Sequence, residues 1–208
     1  MLRLSVILLT LTGCLATEGE PIGPYEKPTT ALIVLDLQRD LLEADGRMPV
    51  KQEQVQPMLE TATALHAAAR AQGLPVIRIE NLYTSSDVGN LFRNGATVRG
   101  TPGAAWDSRA PIDADAMFEK DAPDAFSNPA FDAALREKQV THLVITGVYA
   151  DGCVTWTTRG ALNRGYRVTL VRSGVAAGSD QARNNALDAL KAEGVTITDG
   201  VDGMNWAQ

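Results

Sequence analysis

Histidine and cysteine are scarce in this 208-residue chain, two of each, and aromatic residues supply only 5% of it. The histidines are His66, inside a helical pattern, and His142, at the start of a strand; neither makes a metal cage with nearby acids. A basic excess is also missing. Lys and Arg number 19 against 25 Asp and Glu, the net charge is −6, and no basic run exists. Nucleic acid is therefore excluded as a partner, because nothing here neutralises a row of phosphates. There is no internal repeat and no low-complexity tract. What remains, 45% hydrophobic and 21% charged, is an ordinary globular balance for one domain.

The longest apolar run lies at the amino end and is too short to span a bilayer. Met1 to Gly13 (MLRLSVILLTLTG) has one early Arg, an apolar stretch from Leu4 to Leu11, then small residues, the pattern of a secretory signal. It closes on Leu11-Thr12-Gly13-Cys14, which resembles the lipobox of bacterial lipoproteins. That resemblance implies cleavage before Cys14 and diacylation of its sulfur, a stable anchor when more than one chain is attached. Leu15 in second place, rather than Asp, fits outer-membrane sorting in a Gram-negative host. Residues 14–30, rich in Gly, Pro and Glu, read as a lipidated N-terminus and flexible tether, and 31–208 as the folded domain. The expectation is an exported, membrane-anchored protein, periplasmic or on the outer surface. Cys153 is then a lone cysteine in an exported chain, which marks a free thiol.

Six strand-like segments alternate with helical ones. Ala31 to Leu35 is continuously apolar, as a strand buried on both faces is, and ends at Asp36. After a loop over 41–57, helical spacing runs from Val55 to Ala71; Pro75 to Ile79 is the next strand. Residues 80–115 form a long irregular stretch, of the kind that serves as a lid or a pocket wall. Ala116 to Lys120 is a short strand, Asn128-Pro129 opens a helix, and His142 to Thr146 is a buried strand closed by Gly147. Cys153 begins the following helix; Arg167 to Val171, a helix capped by Ser179 or Asp180, and Val195 to Thr198 complete the series. This order predicts an α/β fold, a three-layer doubly wound sheet of six mainly parallel strands with helices on both faces, Rossmann-like in plan. Right-handed crossovers bring Asp36, Lys120 and Cys153 to one sheet edge, where open α/β sheets bind ligands.

An acid, an amine and a thiol at one edge can work as a hydrolase. The thiol attacks a carbonyl, the carboxylate moves the proton, and the ammonium balances charge. A helix N-terminus is expected to lower the thiol pKa and to offer backbone N–H groups to an oxyanion, worth roughly 3–4 kcal/mol per donor. Taken singly, the Asp also reads as a turn cap, the Lys as solvated and the Cys as a small buried hydrophobe.

Together, Asp36-Leu-Gln38-Arg-Asp40, Lys120 with Ala125-Phe126, Thr146-Gly147-Val148, Cys153-Val154 with Thr157, and Gly165-Tyr166 resemble the isochorismatase-like cysteine hydrolases. That family includes nicotinamidases, carbamoylsarcosine amidases and ureidoacrylate amidases. The resemblance covers about residues 31–197. It implies a catalytic triad of Asp36, Lys120 and Cys153, a non-proline cis peptide at Val148–Tyr149, and an oxyanion hole from the N–H groups of Tyr149 and Cys153. The metal-binding members carry an Asp-x-His after the second strand; here that place reads Glu80-Asn81-Leu82-Tyr83. No metal and no cofactor is expected, and nicotinamidase activity is disfavoured. Members that cleave the vinyl ether of isochorismate often lack the cysteine, so Cys153 points to carbonyl chemistry.

Candidate pocket residues are Gln38, Leu41, Tyr83, Trp106, Phe126, Tyr149 and Trp156; Arg93, Arg99 and Arg109 either hold a substrate carboxylate or are simply solvated. The reading is a metal-independent cysteine hydrolase that cleaves an amide, carbamoyl or ureide C–N bond of a small molecule through a thioester. Its rivals are vinyl ether hydrolysis and a lipid-anchored small-molecule binding protein. Assembly as a homo-oligomer fits the family.

Overall fold

The structure, a computed structural model, describes residues 16–202, 204 and 206. The signal segment, Cys14 and Leu15 lie outside the described residues. Six strands form one sheet: β1 Thr29–Leu35, β2 Val76–Asn81, β3 Ala116–Lys120, β4 Val140–Val148, β5 Arg167–Ala176 and β6 Thr196–Thr198. Their order is β3-β2-β1-β4-β5-β6, and every pairing is parallel. Five α-helices accompany them: α1 Arg39–Leu42, α2 Gln52–Ala71, α3 Pro129–Glu137, α4 Thr155–Asn163 and α5 Asp180–Ala192.

The period-2 alternation of β1 divides the core. Leu32 and Val34 pack with α2 through Val55, Met58, Leu59 and Leu65. Ala31, Ile33 and Leu35 face the opposite layer, where Phe131 and Leu135 of α3, Ala161 of α4 and Leu187 and Leu190 of α5 gather. Three layers follow from one buried strand with two apolar faces. The chain winds outward from β1 through β2 and β3 on one side and through β4 to β6 on the other, so the crevice lies at the carboxyl ends of β1 and β4. Gly147 makes the two strands' close approach possible: its φ is +128°, and a Cβ there would sit 2.0 Å from the Leu35 carbonyl oxygen.

Two expectations change. The helix expected from Val55 begins at Gln52 and carries Pro57 within it, because α2's buried apolar face outweighs one forgone backbone bond. The stretch expected as a free tether is, from residue 16 onward, laid along the domain. Thr17 donates to Asp124 from both its N–H and its hydroxyl at 2.8 Å, and the Arg164 guanidinium holds the carbonyls of Thr17 and Glu18 at 2.9 and 2.8 Å. Of the two readings of the long β2–β3 connection, lid or pocket wall, its packing fits the wall: Asp40 accepts the Thr97 N–H at 2.8 Å, and the Asp107 N–H reaches the Leu37 carbonyl at 2.8 Å.

His142 is structural. Thr30 spends its hydroxyl proton on the Trp206 carbonyl at 2.6 Å, so it accepts from His142 Nδ1 at 3.1 Å, and the bare Nε2 takes the Thr169 hydroxyl at 2.8 Å. Burial, helped by the Arg167 charge, lowers this imidazole's pKa to about 4. Because the folded state binds the proton more weakly than the unfolded chain, this contribution to stability is complete above pH about 6.5 and is lost as pH falls towards 4. Urea unfolding of the wild type should therefore lose roughly 3 kcal/mol more between pH 7 and pH 4 than that of His142→Gln. Identical pH slopes would remove His142 from that role.

Candidate active site

Three strand ends place the reacting groups. Asp36 follows the last residue of β1 with φ +57°, a left-handed conformation unusual for a non-glycine, and this turns its carboxyl back over the sheet edge. Lys120 is the final residue of β3 and reaches across β2, and Cys153 stands on the π turn Ala150–Val154 between β4 and α4. Lys120 Nζ lies 2.9 Å from Asp36 Oδ2 and 3.2 Å from Cys153 Sγ. The carboxylate and ammonium side chains are both fully buried. Asp36 Oδ1 has no hydrogen-bond partner among the described residues.

The electrostatics correct one expectation. Cys153 sits ahead of α4 rather than inside its first turn, with Gly152 in a non-helical conformation beside it. Burial dominates and pushes the thiol up to about 12, since the pull of Lys120 is opposed by the charge of Asp36. Burial also raises the Asp36 carboxyl above the usual carboxylate range, against the pull of Lys120. Burial alone would lower Lys120, but the charge of Asp36, joined by that of Cys153 once the thiol ionises, outweighs it and holds the amine above its ordinary value. The resting site thus holds a neutral thiol beside an ion pair, and its carboxylate is a stronger base than a solvated one.

A cavity of about 710 Å³ opens onto the sulfur. Of the residues picked from the sequence, Leu41, Tyr83, Tyr149 and Trp156 line it with Cys153. The Val148–Tyr149 peptide is cis. Gln38, Trp106 and Phe126 are elsewhere. Gln38 is wholly buried and clamps the β2 end, donating to the carbonyls of Asn81 and Ala104 at 3.0 and 2.8 Å and accepting the Asn81 N–H at 3.0 Å. The Trp106 indole donates to the Ala110 carbonyl at 2.8 Å with the Arg78 guanidinium over its ring. Phe126 packs against Phe131 and Tyr166 in the core.

The loop arginines are not free. Arg93 lines the cavity but pairs with Asp87 at 3.1 Å and stacks 3.4 Å from the Tyr83 ring centroid. Arg99 pairs with Glu119 and Arg109 with Asp107. Sequence reasoning missed Asn81, Met48, Thr97, Asp121 and Asp151 on the cavity wall. Asn81 alone had a signal, since it sits at a strand end level with Lys120 in the β2–β3 register. A metal finds no fit here: among the described residues no group of three His, Cys, Asp or Glu could hold one, and the polar groups nearest the sulfur are the Lys120 ammonium, which repels a cation, and the Asn81 amide.

Comparison with known proteins gives the family and the fold. Residues 30–202 match the isochorismatase domain family. The chain is 26% identical over 129 residues to the N-carbamoylsarcosine amidase of an Arthrobacter species, spanning 57% of this chain and 49% of that one. It is 29% identical over 177 residues to the ureidoacrylate amidohydrolase RutB of Methylobacterium radiotolerans, spanning 73% and 68%. Its fold superposes on the pyrazinamidase/nicotinamidase of Streptococcus mutans with a TM-score of 0.73 at 26% identity, covering 81% of this chain and 99% of that one.

Alkylation tests the thiol's environment. Iodoacetamide should label Cys153 more slowly than free cysteine at pH 8.5, and the rate should keep rising at pH values where free cysteine has levelled off. A plateau below pH 8.5 would show a depressed thiol pKa instead.

Proposed function

The chain belongs to the isochorismatase family of hydrolases, and from this and the site's geometry we propose that it cleaves a carbonyl C–N bond of a small amide, carbamoyl compound or ureide through a Cys153 thioester. The observation that carries the reading is the contact of Lys120 with both Asp36 and the sulfur of Cys153, the member of the three that lines the cavity. The known activities of the relatives, an amidase and an amidohydrolase, support the same bond type.

In this mechanism the thiol is neutral until substrate arrives. Sγ bonds to the carbonyl carbon while its proton passes to Asp36, whose Oδ1 is unoccupied and whose raised pKa suits a base. The N–H groups of Tyr149 and Cys153 hold the developing oxyanion. Asp36 then returns the proton to the nitrogen, the C–N bond breaks, and ammonia or an amine leaves a thioester. Water attacks the thioester, gives its proton to Asp36, and the sulfur departs as a thiol, so every atom is accounted for. Lys120 keeps its proton throughout and balances negative charge on the carboxylate and sulfur.

We also infer export as a lipoprotein anchored through Cys14, a reading supported by the leader and lipobox pattern of residues 1–14. No helix among the described residues is long and apolar enough to cross a membrane. Full-length protein should enter the membrane fraction and take up labelled palmitate, and Cys14→Ser should abolish both. Labelling that survives the substitution would end the inference.

An ammonia-release screen of small amides, carbamoyl compounds and ureides on residues 16–208 should find a substrate. Cys153→Ala, Asp36→Asn and Lys120→Ala should each reduce its turnover to background. The last two should also destabilise the fold by about 3–5 kcal/mol, because each strands a buried charge, whereas Cys153→Ala should melt near the wild type. Full turnover of that substrate by Cys153→Ala would overturn the thioester mechanism, whereas cleavage of a vinyl ether by the same variant would favour the rival chemistry, which does not need the thiol. Ligand binding without turnover would point to a binding protein.

A further inference from the structure

We infer that Asn81 is the specificity-determining residue that recognises the leaving nitrogen of the substrate, and that its free carboxamide oxygen makes the site choose C–N over C–O bonds. The inference rests on the thiol-hydrolase reading above and adds to it which chemical group the pocket demands.

Asn81 ends β2, the strand between those that carry Asp36 and Lys120, and it lines the catalytic cavity. It is 6% exposed, and the Gln38 amide holds both its N–H and its carbonyl at 3.0 Å, so its backbone is fixed. Its side-chain Nδ2 donates to the Tyr83 hydroxyl at 3.0 Å and lies 3.8 Å from Cys153 Sγ. That leaves Oδ1, which is buried and has no partner among the described residues. A carbonyl oxygen only accepts hydrogen bonds, and a buried acceptor left unmet costs free energy. A ligand seated against the sulfur that presents a donor to Oδ1 relieves that cost, and one without a donor leaves it in place.

Position identifies which ligand atom this is. Tyr149 and Cys153, whose N–H groups face the oxyanion in the mechanism, stand on the β4–α4 side of the sulfur. Asn81 stands on the β1–β2 side, with Asp36, which hands the proton to the leaving group. A primary or secondary amide nitrogen keeps an N–H in the bound substrate, in the tetrahedral intermediate and in the departing amine. Oδ1 can accept that hydrogen while the nitrogen lone pair takes the proton from Asp36. An ester oxygen carries only lone pairs and meets Oδ1 with repulsion; a tertiary amide has no hydrogen to give. A site built to hydrogen-bond a group discriminates strongly against an analogue that lacks it.

The test uses an amide found in the ammonia-release screen together with the ester of the same acyl group, and reads kcat/KM for each. In Asn81→Leu the amide should fall roughly 10- to 100-fold while the ester holds or improves, so the amide-to-ester ratio collapses. Asn81→Asp, which keeps an acceptor, should retain much more of that ratio than the leucine variant. Circular dichroism, independent of either activity, reports the folded fraction. Should Asn81→Leu lose its circular dichroism as well, Asn81→Ala is read in the same way. Equal losses on amide and ester in a folded variant, or an unchanged ratio, would overturn the assignment, as would a wild type that prefers the ester. Survival of both activities in Cys153→Ala would instead strike the thiol mechanism, so the two failures are told apart.

Discussion

A full positive charge and a full negative charge lie out of reach of solvent at the floor of this molecule, 2.9 Å apart, joining the ends of β1 and β3 across β2. Desolvating such a pair is costly, and a pair of apolar side chains of the same volume would serve the fold as well or better. Stability therefore gives no reason for Lys120 and Asp36 to be there. Their third neighbour does, because the Lys120 ammonium also lies 3.2 Å from the Cys153 sulfur. On the proposed mechanism the pair brings a base and a compensating cation to the nucleophilic atom, and the surrounding sheet keeps them dry enough for their charges to matter.

Much of the rest of the edge holds this arrangement in register. Gly147 lets β4 run close against β1, which sets the level at which the turn bearing Cys153 meets Asp36. Gln38 and Asp40, on and beside α1, use their buried polar groups on the backbone of Asn81, Ala104 and Thr97. An irregular connection of this length would otherwise leave buried amides unpaired. With those bonds made it forms a fixed wall for the cavity, with Tyr83 locked under Arg93 and Arg93 neutralised by Asp87. The pocket then meets its ligand through apolar surface, a few dipoles and the carboxylates of Asp121 and Asp151, with no unpaired guanidinium among its described lining residues.

The layer order and the gathering of three side chains at one edge were legible in the sequence because they depend on backbone pattern. Apolar runs of strand length, helix caps such as Asn128 and Ser179, and the right-handed crossover rule together determine which strand ends are neighbours. Side-chain direction was not legible. Trp106, Phe126 and Gln38 occupy the right segments but turn into the core or the loop scaffold, while Leu41, Tyr83, Tyr149 and Trp156 turn to the cavity. No local pattern separates the two sets, since both alternatives bury an aromatic or an amide equally well. The Cys153 pKa was misjudged for a related reason: a helix start and a nearby lysine favour a thiolate, but three-dimensional burial and an acid that already neutralises that lysine outweigh them.

That reversal bears on how the site controls its own reactivity. A permanently ionised thiolate open to a cavity of this size would react with any small electrophile or oxidant that entered. In the proposed mechanism the proton leaves sulfur only when Asp36 can take it, and charge separation in a buried site is unfavourable unless a bond forms in the same step. On that proposal nucleophilicity is created by a carbonyl held between the Tyr149–Cys153 turn and Asn81. The buried ion pair would make the transfer possible, the raised thiol pKa would keep it from happening early, and the polar groups on either side of the sulfur would decide which molecules are placed to trigger it.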